Sequence, residues 1–424
     1  MNSFKDFFEN IKLNPSPTKN NPFKLNNPFK LMIKLKQHTP MIHFQADQEG
    51  ATLRGSEFKP KLDKFLEGKI NNGNYKIKIV YDALYNPYEI KKEKGKGKGY
   101  PLYFGNIAKN DQENIKFVYS DKPINVEFFS KDKNLLKIIG DNICEFLSQT
   151  NFGTRQSKGF GSFYLDENDK LYKEPEYDFR FKIKIDNIKT DDFENLFDFE
   201  NLFENIELFY KTLRSGINKC KFDKNTEKST TLFYFKSFLF LYAKSKQIQW
   251  DKKTIKEQFF KYKLDDQIKK HEKADILEYS SNYKYLMRDL LGLSTIQSWG
   301  KTKGNSLDLE KSDPKKIVER FASPILFKPI FKNKDNGSYE VTVYIVLKKI
   351  NQDMLDRKFI IKNTINNKSF SLSTPHAFDL KDYLKFCMKE GKNLSAHVDI
   401  GFQKSREFKI LNEIYSSLEE KNNA

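Results

Sequence analysis

The stretch Asn151-Phe152-Gly153-Thr154-Arg155-Gln156-Ser157-Lys158-Gly159-Phe160-Gly161-Ser162-Phe163 decides how this chain is read. It sets Gly153, Gly159 and Gly161 among Arg155, Lys158 and side chains that carry hydroxyls or amides, all between two apolar runs. Glycine turns the backbone through positive φ and lets it approach a ligand closely, so free N–H groups here can face an anion while the two cations supply charge. Upstream, Leu135, Ile139, Ile143, Phe146 and Leu147 recur at helical spacing; downstream, residues 160–165 read as a strand. Helix, glycine-rich loop and strand therefore follow one another.

Working outward, Ile33 and Leu35 alternate with Lys34 and Lys36 ahead of Thr39-Pro40-Met41, the pattern of a strand with one wet face. Phe58, Leu62, Phe65 and Leu66 then fall at helical spacing, with Ser56 as N-cap and Pro60 early enough to be tolerated. Residues 75–81, 115–119 and 124–129 read as further strands. Together with the helix ahead of the glycine loop and the strand behind it, this is the β-α-β-β-α-β order of the ferredoxin-like plan, which RNA-recognition domains commonly use. The first folded domain is expected over residues 32–189, after an arm at residues 1–31.

That arm carries Asn14-Pro15-Ser16-Pro17 and the tandem Asn21-Pro22-Phe23-Lys24-Leu25 and Asn27-Pro28-Phe29-Lys30-Leu31. Prolines at this density block regular pairing, while the repeated Phe and Leu could dock in a partner's groove; a leader with no role is the alternative. Residues 190–304 read as a helical region that opens on Phe193-Glu194-Asn195-Leu196-Phe197, repeated as Phe199-Glu200-Asn201-Leu202-Phe203. Two copies are too few for a solenoid, so the segment reads as one acidic amphipathic helix, either a solvated face or a dock for a basic neighbour. Residues 299–305 look like a linker or a second basic loop. Strands resume at residues 325–331 and 339–350 around Asp335-Asn336-Gly337, and residues 380–388 read as a helix, so residues 305–424 form a second α+β domain.

A chain of 424 residues with 38% hydrophobic and 15% aromatic content has material for two or three ordinary cores. Its 75 Lys and Arg against 57 Asp and Glu give a net charge of +18, which favours a polyanionic partner, nucleic acid first. The competing explanation is a Lys-rich, Asn-rich composition that reflects genome bias alone. Cys144, Cys220 and Cys387 are odd in number and widely spaced, so neither a disulfide framework nor a zinc knuckle is indicated and a reducing cytoplasm is expected. Neither an apolar leader nor a membrane-spanning run is legible, so no membrane association is expected.

The glycine loop, Thr39-Pro40-Met41 with Leu53-Arg54-Gly55-Ser56-Glu57-Phe58-Lys59, and the downstream Arg320-Phe321-Ala322-Ser323-Pro324 together resemble the repeat-associated mysterious protein (RAMP) superfamily of type III CRISPR effector complexes. Arg155 ahead of Gly159-Phe160-Gly161-Ser162, followed much later by the Ala-Ser-Pro segment, looks most like the first subunit of the Cmr, or type III-B, complex. The resemblance runs in order over about residues 32–349 and is carried by these short blocks. It implies an α+β fold of tandem ferredoxin-like, RRM-like domains. It also implies a noncatalytic subunit of an antiviral ribonucleoprotein, near the 3′ end of guide RNA, touching target RNA as well and bound to other subunits of the effector complex. Arg155 and Lys158 match the basic positions of the family's loop, in which Gly153, Gln156, Gly159 and Gly161 lie, and Arg54 and Lys59 match the basic positions beside its first helix. Two departures stand out: the first helix reads Lys59-Pro60-Lys61-Leu62-Asp63-Lys64-Phe65 where a small, aromatic-rich helix is expected, and the proline arm lies outside the pattern.

For the glycine loop, a purely structural helix-to-strand connection competes with RNA binding. Residues 91–100 hold five lysines against one glutamate, and Lys94, Lys96 and Lys98 alternate with glycines; this is an electrostatic finger for a phosphate backbone or a solvated hairpin loop. His43, Asp47 and Glu49 could bind a metal or move protons, but their spacing matches no metal motif, and a hydrogen-bonded histidine beside two solvent-facing acids is the commoner outcome. His38 is the other candidate, as a general base in metal-independent RNA cleavage. Neither a GxxxxGK[ST] loop nor a GxSxG elbow is present, and no cofactor or metal is expected. The leading expectation is a noncatalytic RNA-binding subunit; the alternatives are a guide-processing endoribonuclease using His38 or His43, and a protein-interaction adaptor.

Overall fold

The computed structural model describes residues 29–42, 52–70, 73–81, 86–88, 117–120, 122–190, 193–197, 199–223, 228–259, 281–302, 305–333 and 338–421. The chain opens with β1 (Phe29–Gln37), β2 (Met41–Ile42), α1 (Gly55–Phe65), β3 (Lys76–Tyr81), β4 (Asn86–Tyr88), β5 (Phe117–Tyr119), β6 (Ile124–Ser130), α2 (Lys133–Ser148) and β7 (Phe163–Leu165). The main sheet runs β3-β6-β1-β7 with every neighbour antiparallel, so its path is β1-α1-β3-β6-α2-β7, the order expected from the sequence pattern. Residues 117–119 are a strand as expected but stand outside that sheet, in a small sheet of order β2-β5-β4.

Alternation puts Ile33, Leu35, Val126 and Phe128 on one face, where α1 contributes Phe58 and Leu62 and α2 contributes Ile139, Ile143 and Phe146. The Phe58 ring stacks on Phe152 at 5.3 Å, which ties the first helix to the start of the glycine loop. Helix α2 starts where the Asp132 carboxylate accepts from Asn134 N–H (2.8 Å). Helix α1 is capped at Arg54, two residues before the expected Ser56, and Pro60 sits inside it.

The rest of the chain adds β8 (Phe179–Thr190), β9 (Phe193–Phe197), α3 (Phe199–Arg214), β10 (Ile217–Asp223), β11 (Lys228–Phe235), α4 (Phe238–Ser245), β12 (Ile248–Gln249), α5 (Asp251–Phe259) and β13 (Tyr283–Lys284). It continues with β14 (Ile296–Thr302), β15 (Asn305–Ser312), β16 (Ile325–Asn333), β17 (Ser338–Leu347), β18 (Lys358–Asn363), β19 (Ser369–Ser373), α6 (Leu380–Gly391), α7 (Arg406–Ser417) and β20 (Glu419–Glu420). A second sheet has the order β16-β17-β8-β20, again antiparallel throughout, with β9 paired to β8. Its strands follow the same spatial rule as the first sheet: the fourth of the path lies beside the first, and the third lies between the first and second. A further sheet, β14-β15-β18-β19, has its own core around Leu309, Phe359 and Ile361.

Three expectations change here. Residues 179–186, assigned above to the first domain, pair with β17 and, at 179–180, with β20 instead, because Phe179, Phe181, Ile183 and Ile185 complete the core formed by α3, α7, β16 and β17. Residues 190–304 are not wholly helical: they hold the β10–β11 hairpin and β14, and residues 299–302, read as a linker or loop, lie in that strand. The two Phe-Glu-Asn-Leu-Phe copies do not share one helix, since the first is β9 and the second opens α3. Pairing with β8 outweighs local preference in the first copy.

The two sheets meet along β16. Ile330 and Tyr344 bury themselves in the first core. The Asn151 amide donates to Phe327 O (2.9 Å) and Gln156 O (2.8 Å), and the Ser162 hydroxyl donates to Pro329 O (2.8 Å). Lys328 is fully buried, with its ammonium 2.7 Å from both Thr150 O and Phe163 O and 3.3 Å from Asn151 Oδ1. We predict that Asn151→Ala lowers the unfolding free energy by about 1–3 kcal/mol, because it leaves a buried carbonyl unpaired. Amide exchange should then quicken together in β16 and residues 151–163 while α6 keeps its protection; unchanged exchange in both would refute the seam's dependence on this amide.

Candidate nucleic-acid interface

The glycine loop turns four times through left-handed backbone, with φ of 76° at Gly153, 58° at Arg155, 92° at Gly159 and 64° at Gly161. The glycines are demanded by close packing. A Cβ at Gly161 would lie 1.9 Å from Phe152 O, one at Gly153 2.5 Å from Ile42 O, and one at Gly159 3.0 Å from the Pro329 ring. The expected free N–H groups are largely spent inside the protein. Phe152 N–H donates to Gly161 O, Gly153 N–H to Glu57 Oε1 (2.7 Å), Thr154 N–H to Ile42 O, Gly161 N–H to Pro40 O and Ser162 N–H to Thr39 Oγ1. Buried N–H groups must pair, and the loop is wedged between α1, residues 39–42 and β16, so these five N–H groups are not offered to an anion. Gln156 acts as a staple, donating to Gly153 O (2.6 Å).

The loop's cations remain, in a different posture from the one the sequence suggests. Lys158 does not project into solvent; it folds back so that its ammonium lies 3.5 Å from the centroid of the Tyr210 ring on α3. Burial and then the Arg214 charge push Lys158 down to about 7, with Arg155 and Lys211 adding to the shift and Glu207 opposing it. Burial also lowers Arg155. Lys252 is pushed down to about 7 by burial first and then by Arg288, and it donates to Ser215 O (2.7 Å). Arg214 donates to the carbonyls of Arg288 (3.0 Å) and Gly292 (2.7 Å). Among the described residues, Arg155, Lys158, Arg214 and Lys252 have no carboxylate partner, whereas Lys211 pairs with Glu207 (2.6 Å) and Arg288 with Asp251 (2.8 Å). Neighbouring cations lower Lys158 and Lys252, and an entering anion would relieve that repulsion.

Two buried ion pairs lie behind this cluster. The buried pairs Arg288–Asp251 and Lys311–Asp289 (2.6 Å) fix the turn that supplies the carbonyls held by Arg214. Breaking either would strand a buried charge.

The other expected residues scatter. Arg54 is exposed at the start of α1. Lys59 is engaged within the protein, donating to Asp63 Oδ2 (2.8 Å) and Gly73 O (2.8 Å) over the Tyr75 ring. Lys94, Lys96 and Lys98 lie outside the described residues, as do His43, Asp47 and Glu49. His38 is 3% exposed and sits inside the seam, where its Nδ1 accepts from Phe331 N–H (3.1 Å). Burial and then Lys36 and Lys328 hold it well below its ordinary value, so the imidazole is neutral near pH 7 and enclosed by protein.

Sequence reasoning missed Tyr210, Arg214 and Lys252, and also Lys61, whose ammonium bridges Glu57 (2.8 Å) and Asn151 O (2.9 Å) at the loop's base. The one legible signal was the basic last turn of α3, Lys211 and Arg214, behind a run read only as acidic. Among the described residues, no group of three or more His, Cys, Asp and Glu could hold a metal ion, and no helix is long and apolar enough to cross a membrane.

Comparison with known proteins gives two family matches: the Cmr1 N-terminal domain over residues 28–81 and 69–217, and the Cmr1 C-terminal domain over residues 234–409. Among solved structures, the apo crystal structure of Cmr1 from Pyrococcus furiosus aligns at 11% identity over 85% of this chain and 97% of that one, with a TM-score of 0.33. No curated protein matches the chain.

Two outcomes follow from this geometry. Gly161→Ala should cost about 3 kcal/mol, combining overpacking with a disfavoured φ, whereas Gly68→Ala, at φ 79° with open space around it, should cost about 1 kcal/mol. Urea unfolding of the two variants measures the gap, and equal losses would contradict the close-approach account. For pH, Lys158 and Lys252 titrate at about 7 when folded and near the ordinary ~10.4 when unfolded. Between those values the unfolded state binds more protons, so stability contributed by these groups rises with pH from about 7 to about 10 and is flat below that window. The wild-type melting temperature should therefore climb over pH 7–9.5 more steeply than that of the Lys158→Met, Lys252→Met variant.

Proposed function

The chain belongs to the Cmr1 family, the first subunits of the type III-B Cmr complex of CRISPR systems, and from that premise we propose that it is a noncatalytic subunit that holds guide RNA near its 3′ end, with target RNA as a further ligand. As a Cmr subunit it associates with the other subunits of that complex. The observation that carries the RNA reading is the convergence of Arg155, Lys158, Arg214 and Lys252, four cations without carboxylate partners among the described residues, where the glycine loop meets α3. Its work is positioning: phosphates settle among the cations and fix the register of the strand, while sequence is left to base pairing.

The repeated strand order of the two sheets supports tandem ferredoxin-like domains, with the division near residue 178 and the remaining helices and the third sheet inserted between β8 and β16 or following β17. The burial of His38 supports a noncatalytic role, and the free thiols of Cys144, Cys220 and Cys387 fit a cytoplasmic setting.

Binding of unrelated single-stranded RNAs at several salt concentrations tests the reading. Arg155→Gln with Lys158→Met should weaken binding about tenfold and shrink the log–log salt slope by about 1.4, at a melting temperature that does not fall. Unchanged affinity and slope would remove the cleft from the RNA path. Incubation with repeat RNA in chelator should leave the RNA intact; cleavage by the wild type that disappears in a folded His38→Ala variant would favour the processing enzyme instead.

A further inference from the structure

The first sheet buries one face under α1 and α2, and its other face carries a patterned charge. The pairing register sets Lys76, Phe129 and Lys30 side by side in one row and Lys78, Glu127 and Met32 in the next, with Lys34 following along β1. Alternation sends these side chains away from the core that holds Ile33, Val126 and Phe128. Lys30, Lys34, Lys76 and Lys78 are exposed, Met32 is 51% exposed, and Phe129 is half-buried between two lysines. Glu127 is paired with Lys30, whose ammonium also lies 5.8 Å from the Phe129 ring. The ammonium groups of Lys34, Lys76 and Lys78 form no ion pair among the described residues, while the Lys34 backbone N–H donates to Asp169 Oδ2 (2.6 Å).

We propose that this open sheet face is a second platform for single-stranded RNA, separate from the cleft beside the glycine loop, with a base stacked on Phe129 against Met32 and phosphates held by Lys34, Lys76 and Lys78. The proposal rests on the reading of the protein as an RNA-binding subunit. Its occupant follows from the chemistry of the face. An aromatic ring with the unpaired ammonium of Lys76 beside it, and those of Lys78 and Lys34 in the neighbouring rows, offers a π-face to a base and counter-charge to the adjoining phosphates, which is how single strands are bound without sequence preference. A protein partner fits less well, because lysine is depleted from the buried centres of protein interfaces and a strand's worth of desolvated ammonium groups would need carboxylates set at matching spacing. Along one strand, alternate residues stand about 6.7 Å apart, so the cations form an extended track rather than a point site.

The test compares three variants of the full chain by single-stranded RNA affinity at several salt concentrations and by ultraviolet crosslinking: Lys34→Gln with Lys76→Gln and Lys78→Gln; Phe129→Leu; and the cleft pair Arg155→Gln with Lys158→Met. The triple lysine variant should lower the salt slope by about 2, at about 0.7 per phosphate contact, and Phe129→Leu should weaken binding about fivefold and abolish a crosslink to the β6 peptide. Wild-type affinity, slope and crosslinks in both sheet variants would overturn the proposal while leaving the cleft reading standing. Loss in the sheet variants with an intact cleft variant would uphold the proposal and overturn the cleft. If the sheet variants keep RNA but no longer enter the reconstituted Cmr complex, the face docks a protein and the proposal fails. Because the two sheet variants alter different residues, a folding defect in one leaves the other to decide.

Discussion

The ammonium of Lys328 is the constraint on which the arrangement of this molecule depends. It has no carboxylate partner among the described residues and is held by the carbonyls of Thr150 and Phe163 and the side chain of Asn151. Burial drives its pKa well below the ordinary lysine value, so the site tolerates the group only because oriented dipoles face it. Thr150 lies just past the end of α2, where the helix presents the negative end of its dipole. One side chain from β16 thereby ties together the end of a helix, the start of the glycine loop and the strand that follows it.

From that anchor the cationic cleft follows. With Asn151 and Ser162 committed to β16, the middle of the loop is turned toward α3, and Lys158 comes to lie over Tyr210. The loop's glycines serve this docking: they let backbone meet backbone at distances no side chain would allow. Charge and shape have thus been divided between different residues. Glycine, asparagine and serine fix where the loop sits, and Arg155, Lys158, Arg214 and Lys252, drawn from both halves of the chain, create the potential there.

Periodicity made much of the first unit legible. The spacing of Leu135, Ile139 and Ile143 marks α2, and the alternation around Ile33 and Leu35 marks β1. Partners distant in sequence were not legible. Nothing near Gly153 or Gly161 announces that their N–H groups are taken by Glu57 and Pro40, so glycines that look open to an anion are spent on the protein itself. The duplicated Phe-Glu-Asn-Leu-Phe shows the limit most sharply, because identical residues become strand in one place and helix in the other. The difference lies in what each copy meets: β8 for the first, and for the second a helical run that buries Leu202, Ile206 and Phe209. The cations at 155 and 158 could be read directly, yet Arg214 and Lys252 belong to the cleft only once the chain has folded.

The wide separation of β8 from its partners has a consequence for how the protein is made. Arg180 of β8 pairs with Glu419, 239 residues later. At roughly 5–20 residues per second, a ribosome spends on the order of 10–50 s between those two strands. For the first part of that interval, until β16 and β17 are made, β8 holds an apolar row, Phe179, Phe181, Ile183 and Ile185, without its partner strands from the C-terminal half, and β20 is missing to the end. Its nearest neighbour in synthesis is β9, which folds back on the far end of β8 within a few residues. That short hairpin is the earliest structure able to occupy part of the open edge, so the nascent second sheet starts from a local clasp and waits for the rest of the chain to complete it.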